Sequence, residues 1–161
     1  MKGYFEAFPY IDYDGHKMKD IFRRVKITDN IDDMFHIYEY IVEDGETPEL
    51  LSYKIYNDPN KHWVLLLINE IIDPYTEWPM SIDELERYTA MKYHDINGFH
   101  HYEDDTGAVV YDNRVDQPNT YNLIYVTNII HETAVNESKR TVKVMPLKYL
   151  SEFETTFEGK I

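Results

Sequence analysis

The sequence predicts an α+β fold, with a strand–helix–helix–strand (βααβ) unit in mid-chain, an extended N-terminal arm before it and an α+β region after it. Two observations carry this reading. Aromatic and β-branched residues alternate through Phe35–Val42 and again through Thr141–Met145, as strands require. Between them stand helix-start signals at Thr47-Pro48-Glu49, Asp58-Pro59 and Ser81-Ile82-Asp83-Glu84. The expected boundaries are an arm over 1–33, a middle unit with its following helix over 34–95, and a C-terminal hairpin, strand and helix region over 96–161.

In the arm, Phe8-Pro9-Tyr10, Asp14-Gly15, Ile21-Phe22 and Val25-Lys26-Ile27 mix apolar patches with turn residues, so short extended segments are expected. So short an arm cannot bury its own aromatics and must lie on the rest of the chain or on a partner. Asp44-Gly45 ends the first strand of the middle unit. Thr47 then caps a helix opened by Pro48, with Leu50, Leu51 and Ile55 expected inward and a stop near Asn57. A second helix follows over Asn60 to about Glu70, and its run Trp63–Ile68 is apolar on nearly every side. Trp63 and Trp78 are expected in the core. Asp73-Pro74 breaks the chain, and Ser81 with Glu84 forms a capping box for a third helix.

Phe99–Tyr102 and Ala108–Tyr111 flank a Gly-ended loop and read as a hairpin. Tyr121–Val126 looks like a strand, and the stretch up to residue 137 fits either state. Pro146 opens a last helix with Leu147, Leu150, Phe153 and Phe157 along one side.

The charge balance excludes several classes of partner. Asp and Glu number 30 against 16 Lys and Arg, a net charge of −14. Phosphate recognition needs clustered basic residues, so nucleic acid is not expected, nor is an anionic membrane surface. The absence of cysteine removes disulfides and thiolate chemistry. No secretory pattern opens the chain, and Trp63–Ile68 is too short to span a bilayer. The reading is of an acidic protein made in the cytosol.

Catalytic patterns are equally sparse. Glycines at 3, 15, 45, 98, 107 and 159 are too dispersed for a phosphate-cradling loop. No serine sits in a nucleophile elbow, and Asp12-Tyr13-Asp14-Gly15 lacks the later ligands of a calcium loop. Paired carboxylates carry no information in so acidic a chain. His94, His100 and His101 lie near Asp95, Glu103, Asp104 and Asp105, a set able to ligate a divalent metal. Adjacent histidines on a strand point to opposite faces, however, so a solvated hairpin is expected, with no tight zinc or manganese site in calorimetry. No metal, cofactor or catalytic residue is assigned. The 15 tyrosines, Tyr38, Tyr40, Tyr53 and Tyr56 among them, lean toward a protein with much contact surface.

Two resemblances follow. Tyr40-Ile41-Val42-Glu43-Asp44-Gly45-Glu46-Thr47-Pro48-Glu49-Leu50-Leu51 resembles the opening of a LysM module, a small βααβ domain. A more specific likeness rests on Asp20-Ile21-Phe22-Arg23, Pro48-Glu49-Leu50, Ile55-Tyr56-Asn57-Asp58-Pro59, Trp63-Val64-Leu65-Leu66, Asn69, Asp73-Pro74 and Trp78. With Glu137-Ser138-Lys139-Arg140 and Val142-Lys143-Val144, this order is similar to the baseplate wedge subunit fifty-three family of contractile-tailed phages. The chain departs from that pattern in being short and in having Asn57-Asp58 where Gly-Asn is common.

The family resemblance implies a LysM-like domain and a structural subunit of the virion's tail baseplate, clamping adjacent wedges around the hub, with no catalysis and no cofactor. Its implied partners are other wedge subunits and neighbouring copies in the ring. A glycan-binding LysM protein is the alternative, with residual sugar binding as its mark. The residues expected to face a partner are Phe5, Phe8, Tyr10, Asp20, Ile21, Phe22 and Arg23. Deleting residues 1–30 is expected to abolish incorporation and leave the middle unit folded.

Overall fold

A computed structural model of the chain describes residues 3–23, 34–111 and 113–161. The part of the arm around Val25-Lys26-Ile27 lies outside the described residues. In chain order the strands and helices are β1 (Tyr10–Tyr13), β2 (His16–Lys19), β3 (Tyr38–Ile41), α1 (Pro48–Tyr56), α2 (His62–Ile68), α3 (Pro74–Glu77) and α4 (Ile82–Tyr93). They continue with β4 (Phe99–Glu103), β5 (Val109–Val110), β6 (Ile124–Thr127), α5 (Asn128–Ser138), β7 (Thr141–Val144) and α6 (Leu150–Glu158). Single 3₁₀ turns occupy Tyr4–Glu6, Pro59–Lys61, Asn113–Asp116 and Leu147–Tyr149.

The chain divides into two compact units at places other than 33/34 and 95/96. One unit comprises 1–78 and 140–161, and the other is 79–139. The cause is strand pairing: β3 pairs antiparallel with β7, Tyr38 opposite Val144 and Ile41 opposite Thr141. The strand that closes the βααβ order thus comes from far down the chain, and α6 follows it into the same unit.

The first unit holds the main core. Leu51, Val64, Leu65, Val144 and Met145 are fully buried among Phe35, Trp63, Trp78, Phe153 and Phe157. Polar anchors fix the elements around it. Tyr56 donates its hydroxyl to the Met145 carbonyl at 3.0 Å, and burial pushes its phenol pKa up. Asn69 ties α2 to β7: its amide donates to Leu65 and Lys143 carbonyls at 2.8 Å and accepts from the Lys143 N–H at 2.7 Å. Trp78 Nε1 donates to the Glu46 carbonyl at 2.8 Å.

Local signals act as the sequence indicates. Thr47 accepts from Leu50 N–H with Pro48 in the first turn, and Asn57 ends α1 in the left-handed region at φ 55. Asn tolerates that region, so it can end a helix without glycine. Two helix faces differ from expectation. Leu50 is 57% exposed on the outer face of α1, where Leu51 and Tyr56 take the inward positions. Leu147 is also exposed, because it lies in the 3₁₀ turn before α6, out of phase with Leu150, Phe153 and Phe157. Strand β3 starts only at Tyr38, since Met34 and Phe35 are helical and His36 turns the chain at φ 48.

The second unit packs α4 and α5 with a sheet ordered β5-β4-β6. Ser81 and Glu84 complete the capping box of α4. The undecided stretch resolves into strand β6 and helix α5, capped by Thr127. Among the described residues its buried apolar side chains are Leu85, Val110 and Val126, accompanied by buried Thr89, Asn128, Glu132 and Asn136. The interior is thus held by side-chain hydrogen bonds. Asn136 clamps the Met80 backbone, accepting from its N–H at 2.8 Å and donating to its carbonyl at 2.9 Å. Asn128 donates to the Asp95 carbonyl at 2.8 Å, and a Cβ on Gly98 would stand 3.1 Å from that Asn128 amide nitrogen.

Candidate functional site

Two groupings of side chains stand out, one in each unit. In the first unit, β1 and β2 form a hairpin of their own, with Tyr10 opposite Lys19 and Tyr13 opposite His16. Asp14 and Gly15 join them, both with positive φ, the backbone geometry that two-residue hairpin turns favour. Alternation sends Tyr10 and Asp12 to one face and Ile11 and Tyr13 to the other, yet all four are exposed. Tyr13 is 68% exposed, and Met18 is exposed beside it. Neither face is therefore covered among the described residues.

The hairpin is stitched at its base. Lys19 Nζ donates to the carbonyls of Glu6 and Phe8 at 2.8 and 2.7 Å and lies 4.5 Å from the Tyr10 ring centre. Beyond it Ile21 is exposed, and Phe22 is 87% exposed. Arg23 lies 4.0 Å from the Asp20 carboxylate and donates to the Ile161 carbonyl, which ties this end of the arm to the C-terminal segment of the same unit.

The structure separates the seven expected contact residues into two groups. Phe5, Tyr10, Ile21, Phe22 and Arg23 are exposed, with Asp20 half-buried between them. Phe8 is only 1% exposed and belongs to the core. It packs with Tyr4, Phe5 and Phe157, and Tyr4 in turn reaches Trp63. The arm lies on the chain through Tyr4 and Phe8, so removing residues 1–30 would open the core rather than spare it. Ile11, Tyr13, Met18 and Lys19 were missed in the sequence. The Asp14-Gly15 turn with its flanking alternation was the signal that could have found them.

The second grouping is on β4 and α5. His100 and His101 are not on opposite faces: their Nδ1 atoms are 2.6 Å apart. The ladder to β6 is irregular between Phe99 and His101, and such a bulge re-aims the side chains it carries. His131, from α5, stacks on His100 with ring centres 3.9 Å apart. His101 Nε2 lies 2.9 Å from Glu103 Oε1. Burial, with the neighbouring His131 and His101, holds the His100 imidazole below its ordinary pKa. Next to His131, burial works to raise the Glu132 carboxyl, but hydrogen bonds from Lys92 at 2.8 Å and Tyr93 at 2.7 Å hold it below the usual range. His94 lies apart from this cluster as the C-cap of α4. His131 gave no signal in the sequence, being 30 positions from His101 with no ligand spacing to connect them.

Exposed aromatic and aliphatic side chains on an uncovered hairpin are the surface of a contact-making, structural protein. Comparison with known proteins gives that class its particular family. Residues 5–143 match the family described as base plate wedge protein 53, and the chain belongs to that family. The match takes in the β1–β2 hairpin and all of the second unit. A curated relative, the baseplate wedge protein gp53 of Enterobacteria phage T4, is 30% identical over 114 residues. The aligned stretch covers 66% of this chain and 51% of the relative, so the chain spans about half the relative's length.

Proposed function

We propose that this protein is a structural subunit of a phage tail baseplate wedge that bridges adjacent wedges around the hub during tail assembly, through its N-terminal hairpin and the exposed Ile21-Phe22 pair that follows it. The observation that carries this reading is the hairpin itself. An isolated two-stranded hairpin is marginal in water, and this one has neither face covered among the described residues. A neighbouring subunit that covered Tyr10, Tyr13 and Phe22 would bury the apolar surface the hairpin lacks, and its strand edges could pair with an extended segment of that partner. Family membership and the absence of a nucleotide-loop or nucleophile-elbow motif in the sequence support a structural role over a catalytic one.

The test is reconstitution of wedges with an Ile21→Ala/Phe22→Ala double variant of the full chain. The expected result is loss of co-purification with the other wedge subunits at unchanged Tm. Normal incorporation would refute the proposed contact. Binding to purified peptidoglycan, with no loss of it in the variant, would favour the glycan-binding alternative.

A further inference from the structure

The expectation that the histidines of β4 hold no metal rested on their pointing to opposite faces, and the bulge removes that premise. We propose that His100, His101 and His131 form a three-imidazole site for a zinc-type divalent cation, with the fourth position left to water. One ring nitrogen from each histidine lies within 4.8 Å of the other two, and all three residues are half-buried. A cation can therefore enter, and it meets donors already partly removed from water.

Three features make this more than proximity. First, His101 Nε2 lies 2.9 Å from Glu103 Oε1, and an Nε2–H that donates to this carboxylate leaves the Nδ1 lone pair, on the side of His100, to ligate. A carboxylate behind a histidine is the usual outer partner that orients a metal ligand and raises its basicity. Second, the two Nδ1 atoms lie 2.6 Å apart, side by side as two ligand nitrogens of one cation must be. Imidazoles bind a cation in the neutral form, so any proton held between them leaves to solvent on binding. Third, a tetrahedral zinc ion with Zn–N near 2.0–2.1 Å sets its nitrogens about 3.3 Å apart. The His100–His101 pair stands closer than that and the set as a whole lies within 4.8 Å, so the site closes when His131 turns off its stack on His100 to aim a nitrogen at the shared point.

The donor set selects the metal. Three neutral imidazoles suit zinc and its borderline neighbours, whereas magnesium and calcium require oxygen ligands. Glu132 is engaged by Lys92 and Tyr93 and stays outside the shell. The benefit is structural. Pro79–Lys139 is shorter than the ~70–80 residues below which one apolar core rarely suffices, and its interior is largely polar. A cation here would staple β4 to α5.

The experiment uses the full chain, stripped with chelator and titrated with zinc chloride in a calorimeter, with Tm followed in parallel. The expected result is one equivalent bound at submicromolar Kd with a raised Tm. His131→Ala abolishes it, Glu103→Gln weakens it 10–100-fold, and His16→Ala, in the β1–β2 hairpin of the first unit, leaves it unchanged. If His131→Ala fails to fold by circular dichroism, cobalt(II) loaded into the unaltered chain and into Glu103→Gln decides, through the intense visible absorption of a tetrahedral site. Zinc binding weaker than ~100 μM, binding that survives in folded His131→Ala, or a cobalt spectrum typical of the hydrated ion overturns the proposal.

Discussion

Phe8 and Phe22 are the same residue type in the same arm, and the structure gives them opposite tasks. Phe8 fills the core beside Phe157, so Phe8→Ala is expected to destabilise the first unit by about 3–5 kcal/mol, read by chemical denaturation. Phe22→Ala removes an exposed ring and should change stability by no more than about 0.5 kcal/mol. A large loss in Phe22→Ala would show that this ring is packed rather than presented. Asn136 acts with equal specificity in the second unit. Asn136→Ala would strip both side-chain partners from the half-buried Met80 backbone, at a cost of about 0.5–1.5 kcal/mol for each bond lost. The expected signature is faster hydrogen exchange at the Met80 amide, and unchanged exchange there would contradict the clamp.

Among the elements, α4 carries its start signal in four consecutive residues. Ser81 Oγ and N–H donate to Glu84 Oε2 at 2.8 and 3.0 Å, and these bonds hold the Glu84 pKa below the usual carboxylate value. Because the folded pKa is the lower one, the stabilisation is present above the unfolded carboxyl's pKa and is lost as pH falls through the folded pKa. Acid titration of stability should therefore be shallower in Glu84→Gln than in the unaltered chain. Identical acid limbs would mean that the box contributes nothing. The β1–β2 hairpin is the contrary case, with its turn chemistry written in Asp14-Gly15 but no burial to fix its faces. Its amides should exchange rapidly in the free chain and slowly in an assembled wedge.

For the whole molecule, the division into units follows from one pairing of distant strands. Arg140 donates to the Val42 carbonyl at 3.1 Å and lies 3.6 Å from Asp44, and Trp78 Nε1 reaches the Glu46 carbonyl. Both ends of the first unit's break thus meet the same short β3–α1 loop. Replacing Pro79–Lys139 by a short Gly-Ser linker is expected to leave the first unit folded, with cooperative thermal unfolding. Ending the chain after residue 95 should instead unfold it, because β3 would lose β7 and the core would lose Phe153 and Phe157. A cooperative transition in the truncated chain would refute this division.

Most helix starts, the tight turns and the family are legible in the order of residues alone. Caps at Thr47, Asp58, Asp73 and Ser81, the stop at Asn57 and the Asp-Gly hairpin turn all act through hydrogen bonds and φ preferences within a few residues, so they are legible in order along the chain. What depends on residues far apart in the chain becomes visible only once the chain is folded. Folding placed Phe8 inside and Phe22 outside, turned Leu50 and Leu147 outward, and paired β3 with β7. It also brought His131 to His100 and His101, because a bulge between Phe99 and His101 redirects a strand that simple alternation would have split between two faces.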